Sequence, residues 1–410
     1  MADFAQLPKG ATLNVKPFNV NIEEQRIQDL KQLLKLSPIA AANFENSSNG
    51  RRYGIEREWL ITAKDYWLNG FDWRHTESHI NSFPNFTASV KDQSGHELDI
   101  HFIALFSQKA DAIPLAFFHG WPGSILEFLP ILDILKKKYT PQDLPYHIIV
   151  PSLPGYAFSG NPPLDRDYDV QEASNALDRL LVGLGFESGY LAQGGDLGSF
   201  VSRHLAATAT SCKGMHLNFS PMRPPDNMHE LAMSKTEQEA LPRSQWFREV
   251  GMAYALEHGT RTSTIGFALG ASPLALLSWI GEKFLDWSDE DPSLDTILSS
   301  VSLYWLTETF PRCIYPYRGN SGDSDSPKIA KISGAGGREQ PFIEKPSGYS
   351  FFPKELMPMP CSWVGTNCNL VHQSVHQSGG HFAALEKPSE LLADVEEYVK
   401  KAWKPQGGKL

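Results

Sequence analysis

The chain has 410 residues, 41% of them hydrophobic, 11% aromatic and 20% charged, which supplies apolar material for a large core and excludes global disorder. Its 37 basic and 47 acidic residues give a formal charge of −10, a field that repels a polyanionic backbone and argues against nucleic acid as a partner. The four cysteines, Cys212, Cys313, Cys361 and Cys368, lack the close pairing of zinc sites or dense disulfide scaffolds, so reduced, buried thiols are expected.

The opening stretch, MADFAQLPKGATLNV, has no basic start followed by an apolar run, and nowhere do about eighteen apolar residues follow one another. Neither secretion nor a membrane anchor is expected, and a cytoplasmic location follows. The last residues, Gly408-Lys409-Leu410, only partly echo the peroxisomal Ser-Lys-Leu address.

In chain order, residues 1–92 read as an N-terminal extension that packs on the rest: Ile27, Leu30 and Leu34 recur at helical spacing, and a second short helix runs from Trp59 to Trp67. From 93 to 220 the texture changes to apolar runs, LDIHFIALF, IPLAFFHG, HIIVPSLPG, GYLAQGGD and KGMHLNFS, separated by helical stretches. That is the rhythm of a mostly parallel sheet with helices on both faces. Residues 221–341 break the rhythm with helical patterns at 243–258 and 296–310 and then the Ser/Gly-rich RGNSGDSDSP, which predicts a helical cap ending in a loose loop. Strand signals return in 342–410 at GYSFF and NLVHQSV, before a final helix, ELLADVEEYVKKAW. The cap is expected as an insertion between strands 6 and 7 of the sheet, one strand more before it than these five runs supply.

Gly194-Gly195-Asp196-Leu197-Gly198 follows an apolar strand and precedes a helix-compatible segment, the pattern of a nucleophile elbow. Small residues two before and two after the apex remove Cβ clashes at so sharp a turn. The apex here is aspartate. A serine at this position would need a base to take its proton, whereas a carboxylate is already a nucleophile at neutral pH, and the first N–H groups of the following helix favour its charge. By itself the pattern also fits an N-capping Asp in a Gly-rich turn.

His119-Gly120-Trp121-Pro122 follows the strand PLAFF. A loop there can hold an oxyanion with the backbone N–H of Trp121 beside that of Leu197. Pro122 restricts the residue before it. Near the C-terminus, Gly379-Gly380-His381 offers an imidazole as general base. Glu355, 26 residues earlier at a strand end, is the candidate acid, with Glu339 and Glu344 as rivals. Phe247, Val250 and Tyr254 share a face at helical spacing and point to whatever the cap covers.

Together, HGWPGS, QGGDLGSF, SLYWLTETF, FFPKE and GGHFAALEKP, with PFNV and FDWR in the extension, resemble the epoxide hydrolases of the microsomal type, and most closely their soluble fungal members. The resemblance spans nearly the whole chain and implies an α/β-hydrolase fold. It places the family's nucleophile on Asp196, its histidine on His381, its acid on Glu355, its oxyanion donors on the amides of Trp121 and Leu197, and its two cap tyrosines on Tyr254 and Tyr317. Spacing alone does not choose Tyr317 over Tyr315. The segment NCNLVHQSVHQS departs from the fungal pattern, and His372 and His376 within it compete with His381 for the role of base. The implied partners are a small-molecule epoxide and water, with no metal or organic cofactor, and a homodimer is implied by the fungal resemblance alone. Phe267, Leu269, Leu276 and Trp279 are candidate cap residues lining the substrate site. Two other readings are a haloalkane dehalogenase, whose elbow typically carries Trp where this chain has Leu197, and a catalytically silent ligand-binding member of the fold.

Overall fold

The computed structural model describes residues 4–92, 94–318 and 341–404. Nine strands form one sheet: β1 (Lys16–Phe18), β2 (Asn85–Lys91), β3 (Glu97–Leu105), β4 (Ile113–Phe118), β5 (Tyr146–Pro151), β6 (Tyr190–Gly194), β7 (Cys212–Leu217), β8 (Ile343–Phe351) and β9 (Cys368–Val375). Their order is β1-β2-β3-β5-β4-β6-β7-β8-β9. The first four in that order pair antiparallel, and every pairing from β5 to β9 is parallel. All six residues of β5 are buried, as expected of a strand covered on both faces. One helical group comprises Val170–Leu181 and Asp196–Thr208, and another Leu129–Lys138 and Pro388–Ala402.

The sheet reaches back into the expected extension. β2 lies in full register against β3, Asn85 opposite Ile103 and Lys91 opposite Glu97, and β1 adds a three-residue edge too short to leave an alternation signal. Counting β1, the cap falls between the seventh and eighth strands; without it, the insertion lies between strands 6 and 7 as expected. The helices of the extension, Glu24–Leu36, Arg57–Asn69 and Trp73–Asn81, lie against the cap: the Trp67 indole N–H donates to Ser302 Oγ at 3.0 Å and the Tyr66 hydroxyl to Asp295 at 2.8 Å.

The cap runs through helices Lys235–Trp246, Ala253–Thr260, Thr262–Gly270, Pro273–Trp287 and Leu294–Leu306. The shared face expected for Phe247, Val250 and Tyr254 does not survive intact. Residues Phe247–Gly251 form a wide π turn, which rotates the register, so Phe247 and Tyr254 are buried while Val250 is 59% exposed. Phe267 is also turned outward, 79% exposed, whereas Leu269 and Leu276 are buried in the cap itself.

No single helix among the described residues is long and apolar enough to cross a membrane, and one sharply bent pair, Thr262–Gly270 with Pro273–Trp287, meets that test only jointly. All four cysteines are buried and free. Of the stretch RGNSGDSDSP only Arg318 is described, and Gly408-Lys409-Leu410 lies outside the described residues.

Candidate active site

β6 ends at Gly194 and the helix beginning at Asp196 starts two residues later, which forces Asp196 to φ 42°. A left-handed value is costly for a side-chain-bearing residue, and the surroundings hold it there. A Cβ on Gly198 would overlap the Phe118 carbonyl, and one on Gly120 would overlap the Asp196 carboxylate, so two close approaches depend on absent side chains. The carboxylate is therefore fixed above the end of the sheet. Trp121, in the loop after β4, donates its N–H to Asp196 Oδ1 at 2.7 Å, and its peptide bond to Pro122 is cis. Leu197 is buried in the first turn of the next helix, where backbone N–H groups have no partner within the helix.

On the other side of the carboxylate, His381 Nε2 lies 3.3 Å from Asp196 Oδ2. The backbone N–H of His381 donates to the Trp287 carbonyl at 2.9 Å, tying the loop to the cap. Its ring stands edge-on to Trp287 and Phe219. Nδ1 lies 2.5 Å from Glu355 Oε1, and that oxygen also accepts from the Leu356 N–H at 2.6 Å. Glu355 is fully buried. Its rival Glu344 is exposed on β8, and Glu339 lies outside the described residues. The competing histidines have other partners: His376 Nε2 lies 2.7 Å from Asp394 and His372 Nδ1 3.2 Å from Lys401 Nζ.

Two phenols close the site from the cap. Tyr254 and Tyr317 are both buried, their ring centroids 5.7 Å apart. Tyr315 faces away, packed edge-on against Tyr168, which separates the two tyrosines that spacing left open. Burial, reinforced by the charge of Asp196, holds the Tyr254 hydroxyl well above the usual phenol range; burial, then Tyr254 and Asp196, do the same for Tyr317. Both stay protonated and can donate hydrogen bonds. His381 is shifted by opposing causes. Burial alone would push it down, but Glu355 and then Asp196 outweigh burial and push it up to about 10, so it rests as an imidazolium between two carboxylates.

A cavity of about 50 Å³ lies over Asp196, lined by Tyr254 and Tyr317 and by apolar side chains including Phe219, Phe247, Met252 and Leu356. None of Phe267, Leu269, Leu276 and Trp279 is among its lining residues, which corrects the expected cap lining. Trp279 instead donates its indole N–H to His258 Nε2 at 3.0 Å. Met252 and Leu356 sit just beyond helix and strand ends, where neither helical nor strand period marks a residue as facing the site. A further residue without a sequence role in chemistry, Glu127, lines a small cavity together with Asp196. Its only signal was Ser124-x-x-Glu127, which reads as a capping box. Among the described residues no group of three or more His, Cys, Asp or Glu could hold a metal ion.

An aspartate at a strand-to-helix elbow, a histidine and acid on later loops, and a helical cap inserted in a mostly parallel sheet define an α/β-hydrolase. Residues 113–305 match the family model for the alpha/beta hydrolase fold and residues 15–128 that for the epoxide hydrolase N terminus. A relative from Dothistroma septosporum, named as a candidate epoxide hydrolase, is 54% identical over 97% of this chain and 93% of its own. Epoxide hydrolase 1 of Sus scrofa is 30% identical over 94% of this chain and 88% of its own. The solved structure of Aspergillus niger epoxide hydrolase superposes with a TM-score of 0.89 at 47% identity, covering 98% of this chain and 100% of that one. The chain belongs to the epoxide hydrolase family.

Proposed function

We propose that the chain converts epoxides to vicinal diols through a covalent ester on Asp196, with residues 221–341 acting as the cap that supplies the tyrosines and residues 1–92 as an extension bracing core and cap. The observation that carries this reading is the setting of one carboxylate: Asp196 lies between the Trp121 N–H at 2.7 Å and His381 Nε2 at 3.3 Å, in the floor of an apolar cavity that contains two protonated phenols.

The difficulty in opening an epoxide is its oxygen, which develops alkoxide charge as the ring C–O bond breaks. Tyr254 and Tyr317 donate hydrogen bonds to that oxygen while Asp196 attacks a ring carbon from the opposite side, and one phenol gives up its proton to the new hydroxyl. The resulting ester has removed one of the two anions that held the imidazolium. His381 then binds its proton less tightly and returns it to the tyrosinate.

Now neutral, His381 takes a proton from water, and the hydroxide attacks the ester carbonyl. The amides of Trp121 and Leu197 hold the oxyanion, each such donor worth about 3 kcal/mol where one has been removed. Collapse frees the diol. One proton of the water stays on His381, restoring the resting ion pair, and the other leaves on the diol. Glu355 orients the ring throughout and supports its charge whenever it is protonated.

Replacing His381 by Gln should leave alkylation intact and block hydrolysis, so intact-protein mass spectrometry is expected to show the chain gaining one substrate mass. A single turnover of wild-type protein in oxygen-18 water should give a first diol whose new oxygen came from Asp196. Heavy oxygen in that first diol, or no adduct with any of a panel of aryl and alkyl oxiranes, would overturn the proposal.

A further inference from the structure

Bordering Asp196, with neither tyrosine in its wall, lies a second, much smaller chamber of about 10 Å³, lined by Gly120, Glu127, Asp196, Asn218, His381 and Ala383 among others. That volume is about what one water needs, and a buried water also needs two to four polar partners. The wall offers them: the two carboxyl groups, the imidazole and the Asn218 amide. The epoxide cavity and this chamber share a single lining residue, Asp196.

The chamber has a neighbour of its own. A cavity of about 610 Å³ lies between the extension and the cap, lined by His75, Thr76, Leu129, Ser299 and Leu385 among others, and the one residue it shares with the small chamber is Glu127. Glu127 is held in that partition. Its Oε1 accepts from the Ser124 N–H at 3.1 Å, and a Cβ on Gly123 would collide with the same oxygen. We infer that the water consumed in ester hydrolysis is drawn from this rear cavity into the single-water chamber, and that Glu127 is the positioning residue that holds it there, beside Asp196 and His381.

The inference rests on the proposed two-step reaction and adds the route and seat of its second substrate. An apolar epoxide entering from the tyrosine side displaces water from the front cavity, and its alkyl group still fills that cavity once the ester has formed. A water seated in the small chamber escapes that displacement. It also stands beside the base that must deprotonate it and the carbon it must reach. Enclosure by protein pushes the Glu127 carboxyl up to about 8, with His381 opposing the rise and Asp196 adding to it. Its outer edge still touches the rear cavity, and that contact tempers the shift. In its neutral form the group can both donate to and accept from a water.

The test separates the two chemical steps with styrene oxide as probe, following ester by intact mass and diol by rapid quench. Glu127→Leu should slow hydrolysis roughly tenfold, the loss of one hydrogen bond, with alkylation unchanged, so the ester accumulates. Glu127→Gln, which keeps the hydrogen-bonding capacity, should restore most of the hydrolysis rate. Ser124→Ala breaks the same capping box from outside the chamber and should lower Tm without altering the ratio of the two rates. Should Glu127→Leu fail to fold, the more adaptable Glu127→Met serves in its place. Equal slowing of both steps, no slowing of either, or a change of the ratio in Ser124→Ala would overturn the inference. If instead wild type and the His381→Gln variant form no ester, it is the two-step reaction that fails.

Discussion

Trp121 lies nearly parallel to Tyr254, ring centroids 5.0 Å apart and planes 17° from coplanar, while its own backbone N–H holds Asp196. One core residue thus positions the Asp196 carboxylate with its main chain and a cap tyrosine with its side chain. Trp121→Ala should therefore do two separable things. Loss of a fully buried indole should cost roughly 3–5 kcal/mol of stability, read as a lower denaturant midpoint. At temperatures where the variant stays folded, alkylation should also slow, because Tyr254 has lost the face it packs on. Trp121→Phe should recover part of both. A destabilised variant that alkylates at the wild-type rate would show that the stack does not position the tyrosine.

Tyr254→Phe and Tyr317→Phe keep ring volume and remove one donor each, so both variants should remain as stable as wild type to within about 1 kcal/mol. By analogy with a lost oxyanion donor, each should slow ring opening by about 10²–10³, and the double variant should slow it further. Hydrolysis of an ester already formed should change little. The check is single-turnover alkylation beside diol release. Equal loss in the two steps would remove the tyrosines from their assigned role.

The sheet and elbow were legible because a fully buried parallel strand writes a continuous apolar run, as PLAFF does, and because only small residues fit beside a turn like that at Asp196. Asp196, Glu355 and His381 follow one another in the chain order expected of a nucleophile, acid and histidine, which singled out Glu355 although nothing local marks it as buried. The cap was legible as helical but not in its facing. The π turn at Phe247–Gly251 shifts the period midway, so Val250 reads as inward and is not. Phe267 and Trp279 belong to apolar helices in which many residues serve the cap's own packing, and composition alone does not separate those from cavity lining. Glu127 was hidden for a different reason: a capping carboxylate and a site carboxylate have the same sequence signature.

The shift on His381 fixes the sign of a pH effect. Its folded-state value is raised to about 10 from an ordinary value of about 6.5, so its contribution to stability is complete below about pH 6.5. That contribution falls as the pH rises and is gone once the folded-state value is passed. Thermal denaturation of wild type should lose stability between these limits more steeply than that of His381→Gln. Glu355→Gln removes the stronger of the two charges sustaining the imidazolium and should end the decline at lower pH. Parallel profiles for all three proteins would mean that His381 rests neutral.

The elbow's backbone makes a prediction independent of the chemistry. At φ 42° a β-branched side chain is strained, whereas Asn tolerates the left-handed region better than most residues. Asp196→Asn and Asp196→Val both delete the anion beside His381, so their difference is free of that ion pair. The Asn side-chain oxygen can still accept from the Trp121 N–H, and the Val side chain cannot. Both variants should be inert towards epoxides, giving neither ester nor diol. In urea, however, Asp196→Val should unfold about 1–3 kcal/mol more easily than Asp196→Asn, the cost of a strained backbone position together with that of a Trp121 N–H left without its acceptor. Coincident unfolding curves would mean that residue 196 relaxes out of the left-handed region when its carboxylate is removed, and that the interactions of the carboxylate, rather than the sterics of the strand-to-helix turn, hold it there.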